Sequence, residues 1–236
     1  MPDLVDELRR RIAEARDPSK APQMQAYMKS SLPYRGVSSG PLRVITREVV
    51  GAHPLPDRAS WEKAVRRLWE ADYREEWYAA LAVARHRLYR DHQDVDTLDL
   101  YRDLVVTGAW WDVVDEIAGH LVGDILAADR ARVTPVVRDW AVDDDLWLRR
   151  TAVICQLGHQ ERTDTGLLRH ALTENLEGSR HGREFFIRKA VGWALRQHAR
   201  TDPDWVRSFV SEHEASMSGL SRREALKHIG PDRKGE

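Results

Sequence analysis

Trp111 and Asp115 stand four residues apart in the run Thr107-Gly108-Ala109-Trp110-Trp111-Asp112-Val113-Val114-Asp115-Glu116-Ile117-Ala118. On a helix that spacing stacks both side chains on one side. An indole face attracts positive charge through its ring quadrupole. A fixed carboxylate acts on the same charge through space and can orient a water. The pair therefore has the makings of a site for a cationic species. It is also compatible with ordinary packing beside a solvated charge, and the spacing alone does not separate the two readings.

The element that must hold the pair is a helix over 110–127. On it Trp110, Val114, Ile117 and Leu121 form a stripe facing the core. The Trp111–Asp115 stripe is turned from it by roughly 100°, given the 3.6-residue period. Helical periodicity runs through the rest of the chain, predicting helices at 3–16, 19–30, 40–51, 59–71, 73–91, 96–107, 130–142, 145–159, 163–176, 183–201, 203–213 and 221–229. Breakers separate them at Asp17-Pro18, Leu32-Pro33, His53-Pro54-Leu55-Pro56, Gly158, Gly178, Asp202-Pro203 and Gly219. Ser60, Thr97, Asp145 and Ser221 are N-cap candidates, and Ser221-Arg222-Arg223-Glu224 has the form of a capping box.

The run Leu148-Arg149-Arg150-Thr151-Ala152-Val153 returns as Ile187-Arg188-Lys189-Ala190-Val191-Gly192, 39 residues later. Glu76-Trp77-Tyr78-Ala79-Ala80-Leu81 is a weaker echo about two repeats upstream. A period of about 40 with two helices per unit is the spacing of HEAT-type repeats. The expected fold is all-α: HEAT-like repeats stacked in a curved solenoid with a concave groove. No linker interrupts the sequence, so one domain over 1–236 is expected, with its last few residues disordered. An irregular all-α globule is the alternative.

Composition narrows the possibilities. Hydrophobic residues are 42% and charged residues 32%, which suits a globular protein with a solvated exterior. No apolar run approaches a membrane span, and the charged, amphipathic N-terminus lacks the apolar centre of a signal peptide. A cytoplasmic location is expected. The net charge of −1 gives no global sign of nucleic-acid binding. From Arg180 to Glu236, twelve Lys and Arg face eight Asp and Glu, which permits a phosphate-binding face. Cys155 is the single cysteine and reads as a small core residue. The ten histidines are scattered without metal-ligand spacing, and no phosphate-loop or dinucleotide motif is present. No cofactor or metal is expected.

Five segments together resemble the AlkD-type alkylpurine DNA glycosylases, a HEAT-like repeat family. They are Trp110-Trp111-Asp112-Val113-Val114-Asp115; Ala26-Tyr27-Met28-Lys29 through Pro33-Tyr34-Arg35-Gly36-Val37; Leu146-Trp147-Leu148-Arg149-Arg150-Thr151-Ala152; Glu184-Phe185-Phe186-Ile187-Arg188-Lys189-Ala190-Val191-Gly192-Trp193-Ala194-Leu195-Arg196; and Leu220 to His228. Each lies where the family's order requires. The resemblance implies that Asp115 is the catalytic carboxylate, that Trp111 and Trp193 contact the sugar, and that Arg150 contacts the DNA backbone. It also implies a monofunctional glycosylase that acts on duplex DNA carrying alkylated purines, in base excision repair; a monomer is the default expectation. Stretch 158–183 matches least well, and the loop Glu177 to Gly182 is expected to hold the difference.

The chemistry fits that implication. Alkylation at N3 or N7 makes a purine cationic, so it departs neutral without a general acid. What remains is to stabilise the oxocarbenium-like sugar. Tyr27, Arg149, Arg188, Lys189, Arg222, Arg223, Lys227 and His228 are further candidates for DNA contact, although surface charge explains the basic ones equally well. Trp61, Trp69, Trp77, Trp110, Trp140, Trp147 and Trp205 read as packing. Two readings of another class stay open: a non-catalytic repeat module that binds damaged or branched DNA, and a protein-binding scaffold.

Overall fold

The computed structural model describes residues 3–229. The last few residues, expected to be disordered, lie outside that range. The described residues form fourteen α-helices and no strand. None of these helices is long and apolar enough to cross a membrane. The chain divides into two compact units, over 1–93 and 94–236.

The first unit holds α1 (Leu4–Glu14), α2 (Ala21–Met28), α3 (Ser39–Ala52), α4 (Arg58–Trp69) and α5 (Arg74–Ala84). Its core is built on Trp61, Leu8, Ile12, Leu68 and Val50, all fully buried. Trp69 stacks on Trp77 with ring centroids 4.3 Å apart. The Pro33–Val37 segment is pinned by a buried carboxylate: Glu75 accepts hydrogen bonds from the backbone amides of Arg35, Gly36 and Val37 at 2.8–3.1 Å. Gly36 is required there. Its φ is +90°, and a Cβ would stand 2.0 Å from the Asp17 carbonyl oxygen. The helix predicted over 73–91 stops at Ala84. His86 is extended and its Nδ1 accepts from the Leu88 amide, which starts a separate 3-10 turn over Arg87–His92.

The second unit holds α6 (Leu98–Gly108), α7 (Trp111–Glu116), α8 (Gly123–Ala128), α9 (Arg130–Val142), α10 (Leu146–Ile154), α11 (Thr165–Thr173), α12 (Phe185–His198), α13 (Pro203–Glu212) and α14 (Gly219–Ala225). A π-helical stretch, Ile117–Val122, joins α7 to α8, so the helix predicted over 110–127 exists with a widened middle. The two matching repeat segments fall on α10 and α12, which pack against each other, and α10 also packs on α7. Stacking of corresponding helices is what a repeat architecture requires.

Aspartates set six of the fourteen helix starts. Asp3, Asp57, Asp129, Asp145, Asp164 and Asp202 cap α1, α4, α9, α10, α11 and α13 by accepting first-turn amides. Asp145 is the expected cap; Ser60 and Ser221 are not caps. Asp57 caps ahead of Ser60, and Ser218 caps α14. Ser221 lies one turn inside α14, where its hydroxyl donates to the Arg188 carbonyl. Glu224 pairs with Arg196 and Lys189 rather than closing a capping box.

Two close approaches hold the second unit. A Cβ on Gly123 would meet the Cys155 carbonyl oxygen at 2.4 Å, and one on Gly192 would meet Glu224 Cβ at 2.6 Å. His159 Nε2 donates to the Gly123 carbonyl at 2.9 Å, tying the end of the π stretch to the turn after α10. Cys155 is fully buried, and burial pushes its thiol up to about 12, which suits a packing role.

Gly123→Ala weighs two effects against each other. Alanine gains about 1 kcal/mol of helix propensity, but its methyl meets a backbone carbonyl that cannot rotate away. Overpacking costs about 1–3 kcal/mol, so a net loss is expected in urea unfolding. A gain would show that α8 and the α10 terminus separate freely.

Burial lowers the pKa of both His159 and His198, which favours their neutral forms. The stability this confers is present in full above the unfolded-state value. It is lost as pH falls from there through the lowered folded values. Melting temperature is therefore expected to drop as pH falls from about 7 to about 5, with His198→Phe flattening the drop. A melting temperature constant across this window would refute the assignment.

Candidate active site

The corner before α7 is abrupt. α6 ends with Ala109 in the left-handed region at φ 38°, a strained conformation for a residue with a Cβ. Trp110 is extended and precedes the helix, and Trp111 is its first residue. Asp115 follows one turn later, as its spacing from Trp111 predicts. The buried residues Val113, Val114, Ile117 and Leu121 turn inward. Trp111 and Asp115 are both partly exposed, on the edge of that face.

α10 is the helix the site depends on. Every residue from Leu148 to Ile154 is buried, two adjacent arginines among them. A guanidinium in such a place must find acceptors. The two arginines are turned from each other by roughly 100°, and they find different ones. Arg149 binds backbone: Nη2 donates to the Val142 carbonyl at 2.8 Å, Nε to Asp143 and Nη1 to Glu174. These carbonyls belong to the ends of α9 and α11, where intrahelical donors run out. Asn175 closes the same corner by donating to Ala141 and Ala171, both at 2.9 Å.

Arg150 meets Asp115. Its Nε donates to Oδ1 and its Nη2 to Oδ2, both at 2.8 Å, the fork geometry that arginine makes with a carboxylate. Its Nη1 donates to the Phe186 carbonyl at 2.6 Å. One guanidinium thus joins α7, α10 and the first turn of α12. The Arg150 side chain is 5% exposed and that of Asp115 is 18% exposed, so the carboxylate is the partner with access to solvent. Burial pushes the Asp115 carboxyl above the usual aspartate range. Arg150 opposes that shift, and Asp112 on the same helix adds to it.

Phe186 also packs on Trp110 and Trp147, with centroids 5.3 and 5.0 Å away. Phe185 stands edge-on to Phe186 at 5.5 Å and is half exposed. Trp193 lies seven residues beyond Phe186, about 10 Å along the same side of α12. It lines a recess of about 340 Å³ with Arg196, Gln197, Arg200, Lys227 and His228. The loop ahead of α12 is tied back: His181 Nε2 donates to the Asp144 carbonyl, and Arg180 pairs with the Asp144 carboxylate. Gly182 is needed there, since a Cβ would fall 1.9 Å from the Leu176 carbonyl oxygen.

The sequence candidates therefore separate. Asp115 and Arg150 are in contact; Trp111 shares the helix edge with Asp115, and Trp193 occupies the recess on α12. Arg149 and Arg150, expected on DNA, are both buried against internal acceptors, because α10 is enclosed on every side. Arg222 pairs with Glu214 at 2.7 Å, and Lys189 lies 3.8 Å from Glu224. Arg188 is partly buried, whereas Arg223, Lys227 and His228 are exposed. Tyr27, in the first unit, is 76% exposed. Phe186, Arg196 and Arg200 had no assigned role in the sequence reading. The seven-residue spacing from Trp193 was the signal for Phe186, and spacings of three and seven residues beyond Trp193 were the signal for Arg196 and Arg200. Among the described residues no cluster of His, Cys, Asp and Glu could hold a metal ion.

The family model for DNA alkylation repair enzymes matches residues 8–229. A comparison with curated proteins found no match. Among solved structures, the chain is similar to a protein described as a predicted DNA alkylation repair enzyme from Enterococcus faecalis. The two are 26% identical with a TM-score of 0.81, over 92% of this chain and 98% of that one. It is also similar in fold to smu.31 from Streptococcus mutans, at 18% identity and a TM-score of 0.60, over 78% of this chain and 91% of that one.

The placement of Arg149 makes a clear expectation. Arg149→Met should lower stability by about 3 kcal/mol, since it leaves the α9 and α11 carbonyls without donors. The salt dependence of duplex binding should not change. A slope shallower by about one would instead put Arg149 on a phosphate.

Proposed function

Since the chain belongs to the DNA alkylation repair enzyme family, we propose that it is a monofunctional DNA glycosylase that releases cationic alkylated purines from duplex DNA. Membership itself makes it an enzyme of alkylation-damage repair. The finer reading rests chiefly on one observation: a partly open carboxylate, Asp115, held on both oxygens beside Trp111.

An N7-alkylguanine or N3-alkyladenine carries its positive charge before the bond breaks. As the bond lengthens, that charge moves onto the deoxyribose. A carboxylate already fixed in place stabilises it without reorganising, and Asp115 also orients the attacking water. Each Asp115 oxygen accepts one hydrogen bond from Arg150, which leaves lone pairs for that water. The faces of Trp111 and Trp193 pack on the sugar and exclude solvent, strengthening the carboxylate's field. No lysine is assigned to attack the sugar, so the strand is left uncut. Arg188, Arg223, Lys227 and Tyr27 contact the duplex, and the enzyme works as a monomer in the cytoplasm.

The test is base release from duplexes carrying N7-methylguanine or N3-methyladenine. Asp115→Asn should slow release on the order of 10²-fold or more. The wild-type rate should fall on the acid side with a midpoint above the usual aspartate range, because burial raises this carboxyl and only the ionised form acts. Wild-type excision by Asp115→Asn would sink the mechanism.

A further inference from the structure

On the reading that Trp193 packs on the sugar, we infer that Glu224 competes with DNA phosphate for two cations beside that tryptophan, and so limits how tightly the enzyme holds undamaged duplex. Lys189, Trp193, Arg196 and Arg200 follow one another at steps of four, three and four residues, which places them along one side of α12. Phosphates next to a sugar on Trp193 come to this side. A carboxylate stands there already. Glu224, on α14, pairs with Arg196 through one oxygen, and its other oxygen lies 3.8 Å from Lys189 Nζ. It therefore straddles the turn of α12 that carries Trp193. Glycine makes the approach possible, since a Cβ on Gly192 would stand 2.6 Å from Glu224 Cβ. The Glu224 side chain is 19% exposed, so salt screens its pairing less than it would in open solvent.

Other cations at the recess carry no such mask. Arg200 and Lys227 line it with Trp193 and have no carboxylate partner among the described residues. A phosphate reaches them without competition. At Arg196 and Lys189 it must displace Glu224 or share the cation with it. The remaining N–H donors of Arg196 can still turn to a phosphate, but the adjacent negative charge opposes its approach. Glu224 therefore weakens the ionic part of binding to any duplex, damaged or not. Non-specific binding is almost wholly ionic, and undamaged sites vastly outnumber lesions. Contacts made at Asp115 and Trp111 do not pass through Glu224, so the restraint falls mainly on undamaged DNA. A purely structural tie between α12 and α14 has the opposite consequence: loosening it disturbs the Trp193 face and loses affinity.

The test is affinity for an undamaged duplex over a range of salt, with thermal unfolding to show which variants fold. Wild type is compared with Glu224→Gln and Glu224→Ala, and Glu224→Gln is repeated in a Lys189→Gln, Arg196→Gln background. Alanine keeps the Cβ against Gly192, so it reads the same loss of charge should the glutamine variant not fold. Removing the carboxylate should tighten binding roughly three- to tenfold at low salt, and the gain should fade as salt rises. Without Lys189 and Arg196 the same substitution should gain less than about twofold, because the cations it frees are gone. Base release from an N7-methylguanine duplex, run with excess undamaged duplex, should be slower in Glu224→Gln than in wild type. Equal or weaker binding by the folded carboxylate variants would overturn the inference. So would a gain that persists at high salt, a gain as large without Lys189 and Arg196, or an unchanged rate under competition. Failure of both Glu224 variants to fold would make the residue a structural tie and overturn it too. If wild type releases no base from the alkylated duplex, the glycosylase reading fails, while the affinity series still decides whether Glu224 masks these cations.

Discussion

A buried guanidinium with a carboxylate on one side and a carbonyl on the other is the constraint around which the second unit is arranged. Arg150 lies on α10, a helix enclosed by its neighbours, so its charge has no water to turn to. Asp115 supplies the countercharge from α7, and the Phe186 carbonyl supplies an acceptor from α12. Removing any one of these leaves a buried polar group unmatched, which is far more costly than the pair is stabilising. The three helices are therefore not interchangeable packing units. They are held in one register by three hydrogen bonds, and the carboxylate is the partly exposed member of the set.

The rest of the unit protects the same arrangement. Arg149, next door on α10, closes the carbonyl ends of α9 and α11 with help from Asn175. Gly192 lets α14 approach α12 closely, and Gly123 does the same for α8 and the end of α10. The aromatic group Trp110, Trp147 and Phe186 fills the space behind the ion pair. In the proposed reaction this rigidity matters more than the strength of any one contact. A transition-state charge is stabilised best by groups that need not move to meet it.

Much of this was readable from the chain itself, and the failures share one cause. Every predicted helix has a counterpart, because a 3.6-residue apolar period leaves one stripe to bury and little freedom in how to do so. The recurrence at 39 residues marked α10 and α12 as equivalent helices, and they do pack together. Local chemistry misled where several residues competed for one task. Ser60 and Ser221 are good caps, but Asp57 and Ser218 stand where the chain turns into the helix. Arg149 and Arg150 are charged, and charge reads as surface until the neighbours on every side are known. The likeness to alkylation repair enzymes, confirmed by the family match over residues 8–229, carried the fold and the broad role. It could not reveal what Arg150 touches.

By itself the sequence determined an all-helical repeat protein, the positions of its helices and the placing of Trp111 and Asp115 on one helical edge. These are properties of period and spacing, which each helix expresses without reference to the others. Only the tertiary structure decided that Asp115 and Arg150, 35 residues apart, share two hydrogen bonds, and that Arg149, one residue earlier, faces away into a knot of carbonyls. Which side of a helix meets which neighbour follows from how whole helices pack. A rotation of roughly 100° between adjacent residues is enough to send one arginine to the candidate site and the other to the scaffold.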